Sequence, residues 1–276
     1  MSLFVSKSCI HAAVPALIMC LAGSAGAQIV PLSYWNLDET RGIVAHDMIS
    51  GNRGIHYRGV NVGETGSLPG ADHSVGYYQD GRPGFTVVQP SDSFLLSEGT
   101  LTFSMFNTGT IGQEGLISKD ARGYGNGGHF SAWTSANTQG IHLGLADESR
   151  YHVVHTDAIQ SDRWYNIIFS WGSSGMKLYL DGDLVDEDTY TGGMENNYEP
   201  LVFGASERWS RSGWPYPLTD LFSGKLDEIA IFDTALTPQE VNGSLAALRG
   251  VPLPGTTGLA MLGLGTFSIR SRRRRI

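Results

Sequence analysis

Residues 163–185 read RWYNIIFSWGSSGMKLYLDGDLV, and the pattern in this stretch decides the fold. Over 164–171 both alternating faces are largely apolar, as in a strand covered on each side. Met176, Leu178 and Leu180 then share one face at a period of two. Asp181-Gly182 follows, a two-residue connection that favours a type I′ turn because both residues tolerate positive φ. The stretch reads as a hairpin, and a hairpin covered on both sides needs further strands around it.

Working outward, those strands are present. In 101–106, LTFSMF, the residues Leu101, Phe103 and Met105 share a face. Further apolar runs stand at 34–37, 85–88, 116–119, 129–134, 141–146, 151–155, 201–204 and 226–232, separated by Gly, Asn, Asp and Ser. Glycine numbers 36 in 276 residues, well above the usual ~7%, which suits many tight turns between short strands. About a dozen strands at this spacing predict a single all-β domain over 28–250, a two-sheet antiparallel sandwich or jelly roll. One short helix is expected near its end. Thr237 stands as cap, Pro238 as first helical residue and Glu240 three after the cap, with Gly250 as the stop.

The two ends have a different character. Residues 1–27 carry Lys7, an apolar stretch over 12–23 and small residues ending Ala25-Gly26-Ala27. This is the layout of a secretory signal cut by signal peptidase between Ala27 and Gln28; a lipoprotein signal at Cys20 is disfavoured by the bulky Met19 before it. Cys9 and Cys20 are the only cysteines and both lie here, so the exported chain is expected to be free of disulfides. At the other end, Val251-Pro252-Leu253-Pro254 precedes a 12-residue apolar run over 258–269 and then a cluster of arginines. As a helix that run spans ~18 Å, against a hydrocarbon core of ~30 Å. It therefore suits transient membrane contact better than a permanent span.

Charge follows the same division. Lys7, Arg270, Arg272, Arg273, Arg274 and Arg275 lie in the ends, which leaves 13 basic residues against all 27 acidic ones over 28–250. So acidic a surface repels phosphate backbones, and a nucleic-acid partner is disfavoured.

The blocks YWNLDETRGIVAHDMISGNRG at 34–54, the hairpin at 163–185 and FSGKLDEIAIFDTALTPQEV at 222–241, in this order and spacing, resemble the laminin G-like or concanavalin A-like jelly-roll domains of secreted bacterial proteins. The resemblance implies a curved sandwich with adjacent chain ends, and roles in carbohydrate binding, adhesion or matrix assembly. The 26 residues over 251–276 likewise resemble a PEP-CTERM sorting signal in its Val-Pro-Leu-Pro variant. That resemblance implies an exosortase-type processing enzyme as partner, and a cell-surface or extracellular destination reached through the inner membrane. A tail anchor with its arginines held on the cytoplasmic side is the alternative.

Glycoside hydrolysis generally uses two carboxylates across a groove, and sandwich glycosidases resemble one another in an E-x-D-x-E or E-x-D-x-x-E strand. The nearest segment, Lys225-Leu226-Asp227-Glu228-Ile229-Ala230, has Lys and Ala where the outer acids belong. Asp186-Glu187-Asp188 reads as a solvated charge run, and His152 and His155, three apart in a strand, point to opposite faces. No catalytic residue is assigned. A hydrolase or polysaccharide lyase with an unrecognised acid pair, and a purely structural surface protein, remain the alternatives. Asp47 with Asn52 lies in an acidic turn, and the resemblance brings the last strand, with Asp227, alongside the first. It thereby implies a calcium ion held by Asp47, Asp227 and Asn52. The competing reading is that Asp47 and Asn52 build an Asx-type turn while Asp227 accepts backbone hydrogen bonds. For carbohydrate, 205–220, ASERWSRSGWPYPLTD, places Trp209, Trp214 and Tyr216 beside Arg208 and Arg211 in one polar loop. Flat rings stack on sugars and the polar groups read hydroxyls; the competing reading is a loop anchored by its rings over a sheet. Trp164 and Trp171 are expected in the core.

Overall fold

The structure, a computed structural model, describes residues 29–249 apart from 71, 79–83, 110, 122 and 207–217. Residues 1–27 and 251–276, expected to be a leader and a sorting tail, and the five loop residues Arg208, Trp209, Arg211, Trp214 and Tyr216 lie outside the described residues. Among the described residues no helix is long and apolar enough to cross a membrane.

The alternating apolar runs form strands as their period requires. In chain order these are β1 (Ser33–Trp35), β2 (Val44–Ala45), β3 (Gly54–Tyr57), β4 (Val60–Thr65), β5 (His73–Tyr77) and β6 (Phe85–Val88). Then come β7 (Gly99–Asn107), β8 (Glu114–Lys119), β9 (Phe130–Thr134), β10 (Ile141–Ala146), β11 (Tyr151–His155) and β12 (Trp164–Gly172). The last are β13 (Gly175–Leu180), β14 (Asp183–Asp188), β15 (Leu201–Phe203) and β16 (Gly224–Phe232), followed by α1 (Pro238–Leu248). They build two antiparallel eight-stranded sheets. One runs β14-β13-β12-β7-β16-β5-β4 with β1 also on β16; the other runs β11-β10-β9-β8-β15-β6-β3-β2.

The expected hairpin is the β13–β14 turn. Leu180 pairs with Asp183, and Asp181 and Gly182 both take positive φ (53° and 96°), as a type I′ turn requires. The core between the sheets gathers Leu101, Phe103 and Met105 with Ile167, Phe169 and Trp171 from the first sheet, against Ile117, Phe130, Leu143 and Phe203 from the second. Strand β12 is covered on its other side as well: Ile168 packs with Tyr34, Ala230 and Phe232 under Val241 and Leu245 of α1. The helix begins where expected, with Thr237 and Glu240 exchanging the two bonds of a capping box and Pro238 in the first turn. The second sheet carries a smaller outer cluster, in which Phe85, Val87 and Val202 meet Ala205 and Leu218, the described flanks of the aromatic loop.

Candidate functional site

Two loops set the chemistry beside the last strand. Asp47 is the hub of the first: its carboxylate accepts from the backbone of Tyr34 (3.0 Å), Ile49 (2.9 Å) and Asn52 (3.0 Å) and from Ser50 Oγ (2.6 Å). Burial opposes its ionisation, but the bonds from Ser50, Ile49, Tyr34 and Ser33 outweigh that and hold the carboxyl below its usual range. Asn52 Nδ2 donates to Ser33 Oγ and Ser50 Oγ. This is the Asx-type turn of the competing reading.

Asp227 belongs to a different network. It is fully buried; Oδ2 accepts from Ser67 N (2.8 Å) and Ser67 Oγ (2.7 Å), while Oδ1 has no hydrogen-bond partner among the described residues. Burial raises its carboxyl well above the usual range, the Ser67 bonds oppose this, and the neighbouring Asp72 raises it further. Asp72 sits at the other end of the same β4–β5 hairpin loop, where its Oδ2 accepts from Leu68 N at 2.7 Å. Of the residues expected from the sequence to hold a metal, Asp47 and Asn52 share one hydrogen-bond network, and Asp227 bonds Ser67 beside Asp72, which sequence reasoning missed. Asp72 stands 155 positions away in a turn and carries no local signal. Among the described residues no group of three or more His, Cys, Asp or Glu converges.

Glu228 follows in a bulge of β16, at a positive φ of 55° unusual outside glycine. The bulge aims it at Tyr34, whose hydroxyl donates to Oε2 at 2.5 Å, and at the Arg249 guanidinium, with which it forms an ion pair. Neither acid of the strand is therefore a free carboxylate.

Three clefts stand out among the described residues. The first, about 620 Å³, lies between Asn126–Gly128, Asp147–Ser149 and the loop carrying Tyr190 and Glu195. Behind it the His152 ring stacks on Tyr190 at 3.9 Å and bonds Asp147 Oδ2 at 2.8 Å. His155 stacks instead on His142 at 5.1 Å, so the two histidines separate as the strand period demands. The charge run in β14 is only partly solvent: Asp186 accepts from the backbone of His155 at 2.9 Å, and Asp188 from that of Tyr190 at 2.7 Å.

The second cleft, about 490 Å³, is lined by Asn36, Asp38, Met48, Leu68 and Asp72, and the third, about 400 Å³, by Ser104, Trp164, Asn166 and Asn242. They meet at Leu68, Glu228 and Arg249. Trp171 is in the core as expected, 1% exposed and stacked on Phe169. Trp164 is a correction. It is only half-buried, because its register opposite Phe106 turns it to the outer face of β12, at the lip of the third cleft.

A laminin G-like family model, described as the concanavalin A-like lectin/glucanases superfamily, matches residues 82–242. The chain belongs to that superfamily. Among solved structures, this superfamily member is similar to domain 4 of AbnA, a GH43 extracellular arabinanase from Geobacillus stearothermophilus, in complex with arabinotriose. The TM-score is 0.54 at 15% identity, over 78% of this chain and 97% of that one. The binding domain of botulinum neurotoxin serotype D gives 0.54 at 14% identity, over 80% of this chain and 50% of its own. A Trypanosoma rangeli sialidase in complex with the inhibitor DANA gives 0.54 at 13% identity, over 83% and 34%. The chain thus spans half of the neurotoxin domain and a third of the sialidase. At these identities the likeness is one of fold. No curated protein matches.

Proposed function

We propose that the domain binds extracellular polysaccharide, or another matrix component, without turning it over, as part of a secreted or surface-sorted protein. One observation carries this reading. The acids of the last strand, which lie nearest to a glycosidase motif, are used in holding the fold: Asp227 is fully buried on Ser67, and Glu228 is locked to Arg249 and Tyr34. A glycosidase needs one of its pair as an ionised carboxylate open to the groove. The bound arabinotriose in the AbnA domain supports carbohydrate as the ligand class.

The sequence supplies the remaining parts of the reading. Trp209, Trp214 and Tyr216, with Arg208 and Arg211, form the candidate platform, and the ends at 1–27 and 251–276 are the export and sorting signals, read by signal peptidase and an exosortase-type enzyme. Calcium is proposed as a structural ion. The unpaired Oδ1 of Asp227, with Asp72 beside it, fits the all-oxygen donor set of that cation. Bound there, the ion would neutralise the buried pair and stiffen the β4–β5 loop. A specific observation favours the structural alternative for the platform: the loop flanks Ala205 and Leu218 pack on Phe85, Val87 and Val202.

The test is glycan-array and calorimetric binding of wild type, Trp209→Ala and Trp214→Ala, with melting curves of the same proteins. A platform loses about thirtyfold in affinity, the scale of ~2 kcal/mol for a truncated anchor, with little change in melting temperature. An anchor shows the reverse. Release of reducing sugar by the wild type would overturn the non-catalytic reading.

A further inference from the structure

The third cleft, lined by β7, β12 and α1, has the chemistry of a sugar subsite. Its lip is Trp164, half-buried on the outer face of β12 and tilted against Phe106 at a ring separation of 5.5 Å. Its floor is Ser104 and Asn166, one cross-strand pair of β7 and β12, and its far wall is Asn242 and Leu245 of α1. Among the described residues, the side chains of Ser104, Asn166 and Asn242 and the Trp164 indole N–H make no hydrogen bond. An aromatic face with several uncommitted hydroxyl, amide and indole groups converging on it is the mixed lining expected of a small-ligand site.

The charges at the margin are already matched. Arg249 pairs with Glu228, and Asp181 pairs with Arg163 at 2.5 Å while also accepting from Asn166 N at 2.9 Å. A ligand bearing its own charge would find no free counter-ion there, and a buried unpaired charge is strongly disfavoured. The cleft shares Leu68, Glu228 and Arg249 with the lining of the second one.

We propose that this third cleft is a binding subsite for a neutral sugar chain, with Trp164 as the stacking face and Ser104, Asn166 and Asn242 as readers of hydroxyl groups. The proposal rests on the carbohydrate-binding reading above and assigns that ligand a place and a charge class.

Titration calorimetry of the full chain with arabino-, xylo-, cello- and malto-oligosaccharides, and with oligogalacturonate as the acidic comparison, tests it. Trp164→Ala should weaken binding of the neutral ligand at least tenfold, and Trp164→Phe should retain most of it. Asn242→Ala, on the exposed side of a helix, should weaken it about fivefold with an unchanged melting temperature. Unaltered affinity in Trp164→Ala and Asn242→Ala, with loss in Trp209→Ala or Trp214→Ala, would refute this subsite and leave the carbohydrate reading intact. Preference for the acidic ligand would refute the assigned class. A wild type silent to every sugar would overturn both readings together.

Discussion

Asp227→Asn is the perturbation whose outcome the structure fixes most closely. The carboxyl is fully buried, has one oxygen on Ser67 and one without a partner, and lies beside Asp72. Asp227 in that place either holds a proton or, when ionised, needs a cation to offset its charge. Without metal it is a proton: the folded pKa is raised by burial, above an unfolded value near ~4. The sign follows from linkage. Below the unfolded pKa both states hold the proton and its stabilising contribution is complete; as pH rises toward the folded pKa, only the unfolded state ionises and stability falls, by up to ~1.4 kcal/mol per pH unit for one proton. Asparagine keeps the shape and the acceptor for Ser67, and removes the titration. In chelator, the wild-type melting temperature should therefore decline between pH 5 and pH 8 more steeply than that of the variant. Calcium should restore it, by ~2.7 kcal/mol at a hundredfold excess over its dissociation constant, or about 5 to 10 °C for a domain of this size. The restoration should grow with pH, because the ion competes with the proton. Differential scanning calorimetry at three pH values, with calcium or chelator, reads all of these. Equal pH slopes in wild type and variant would refute the buried-proton argument, and indifference of the wild type to calcium at pH 8 would refute the ion.

Trp171→Ala removes a ring 1% exposed in the core and should cost ~3–5 kcal/mol, a fall of about 10 °C or more in melting temperature. Gly204→Ala should also destabilise, by more than ~1 kcal/mol in urea titration, since Gly204 has φ of +81° and an added Cβ would lie 2.5 Å from the Tyr77 ring. Thr237→Ala breaks the capping box of α1 and should cost ~1 kcal/mol by the same titration. Intact-mass spectrometry of the natively exported protein should find a chain of about 28–251; retention of the arginine tail would turn the sorting reading into the anchor one.

What the sequence disclosed follows from where each signal resides. The strands with strong apolar alternation, β7, β12 and β13, and the helix with its Thr-Pro-Glu start were legible because their causes are local. Strands β2 to β5 were not singled out, and β14 was implied only by the turn before it. β2 has two residues, β4 is an edge strand half-open to water along its length, β5 contains Gly76, and β14 is rich in acids. Register was the larger gap. Both faces of β12 are apolar in sequence, so nothing local says that Trp164 looks outward while Trp171 looks in. The same holds for Asp72 and Asp227, which meet only because a hairpin loop folds against a distant strand.

Strand β16 lies in the interior of its sheet, bonded to β7 on one side and to both β1 and β5 on the other. It is also the last strand among the described residues. Until residue 232 is available, β7 and the β4–β5 pair have no common neighbour, β1 has no partner, and the face that later receives α1 does not exist. Pairings of such long sequence separation make folding slow, and they make completion of the sheet wait for residues 224–232. An incomplete chain would present two unpaired strand edges, so truncation before β16 should yield an aggregating fragment rather than a smaller domain.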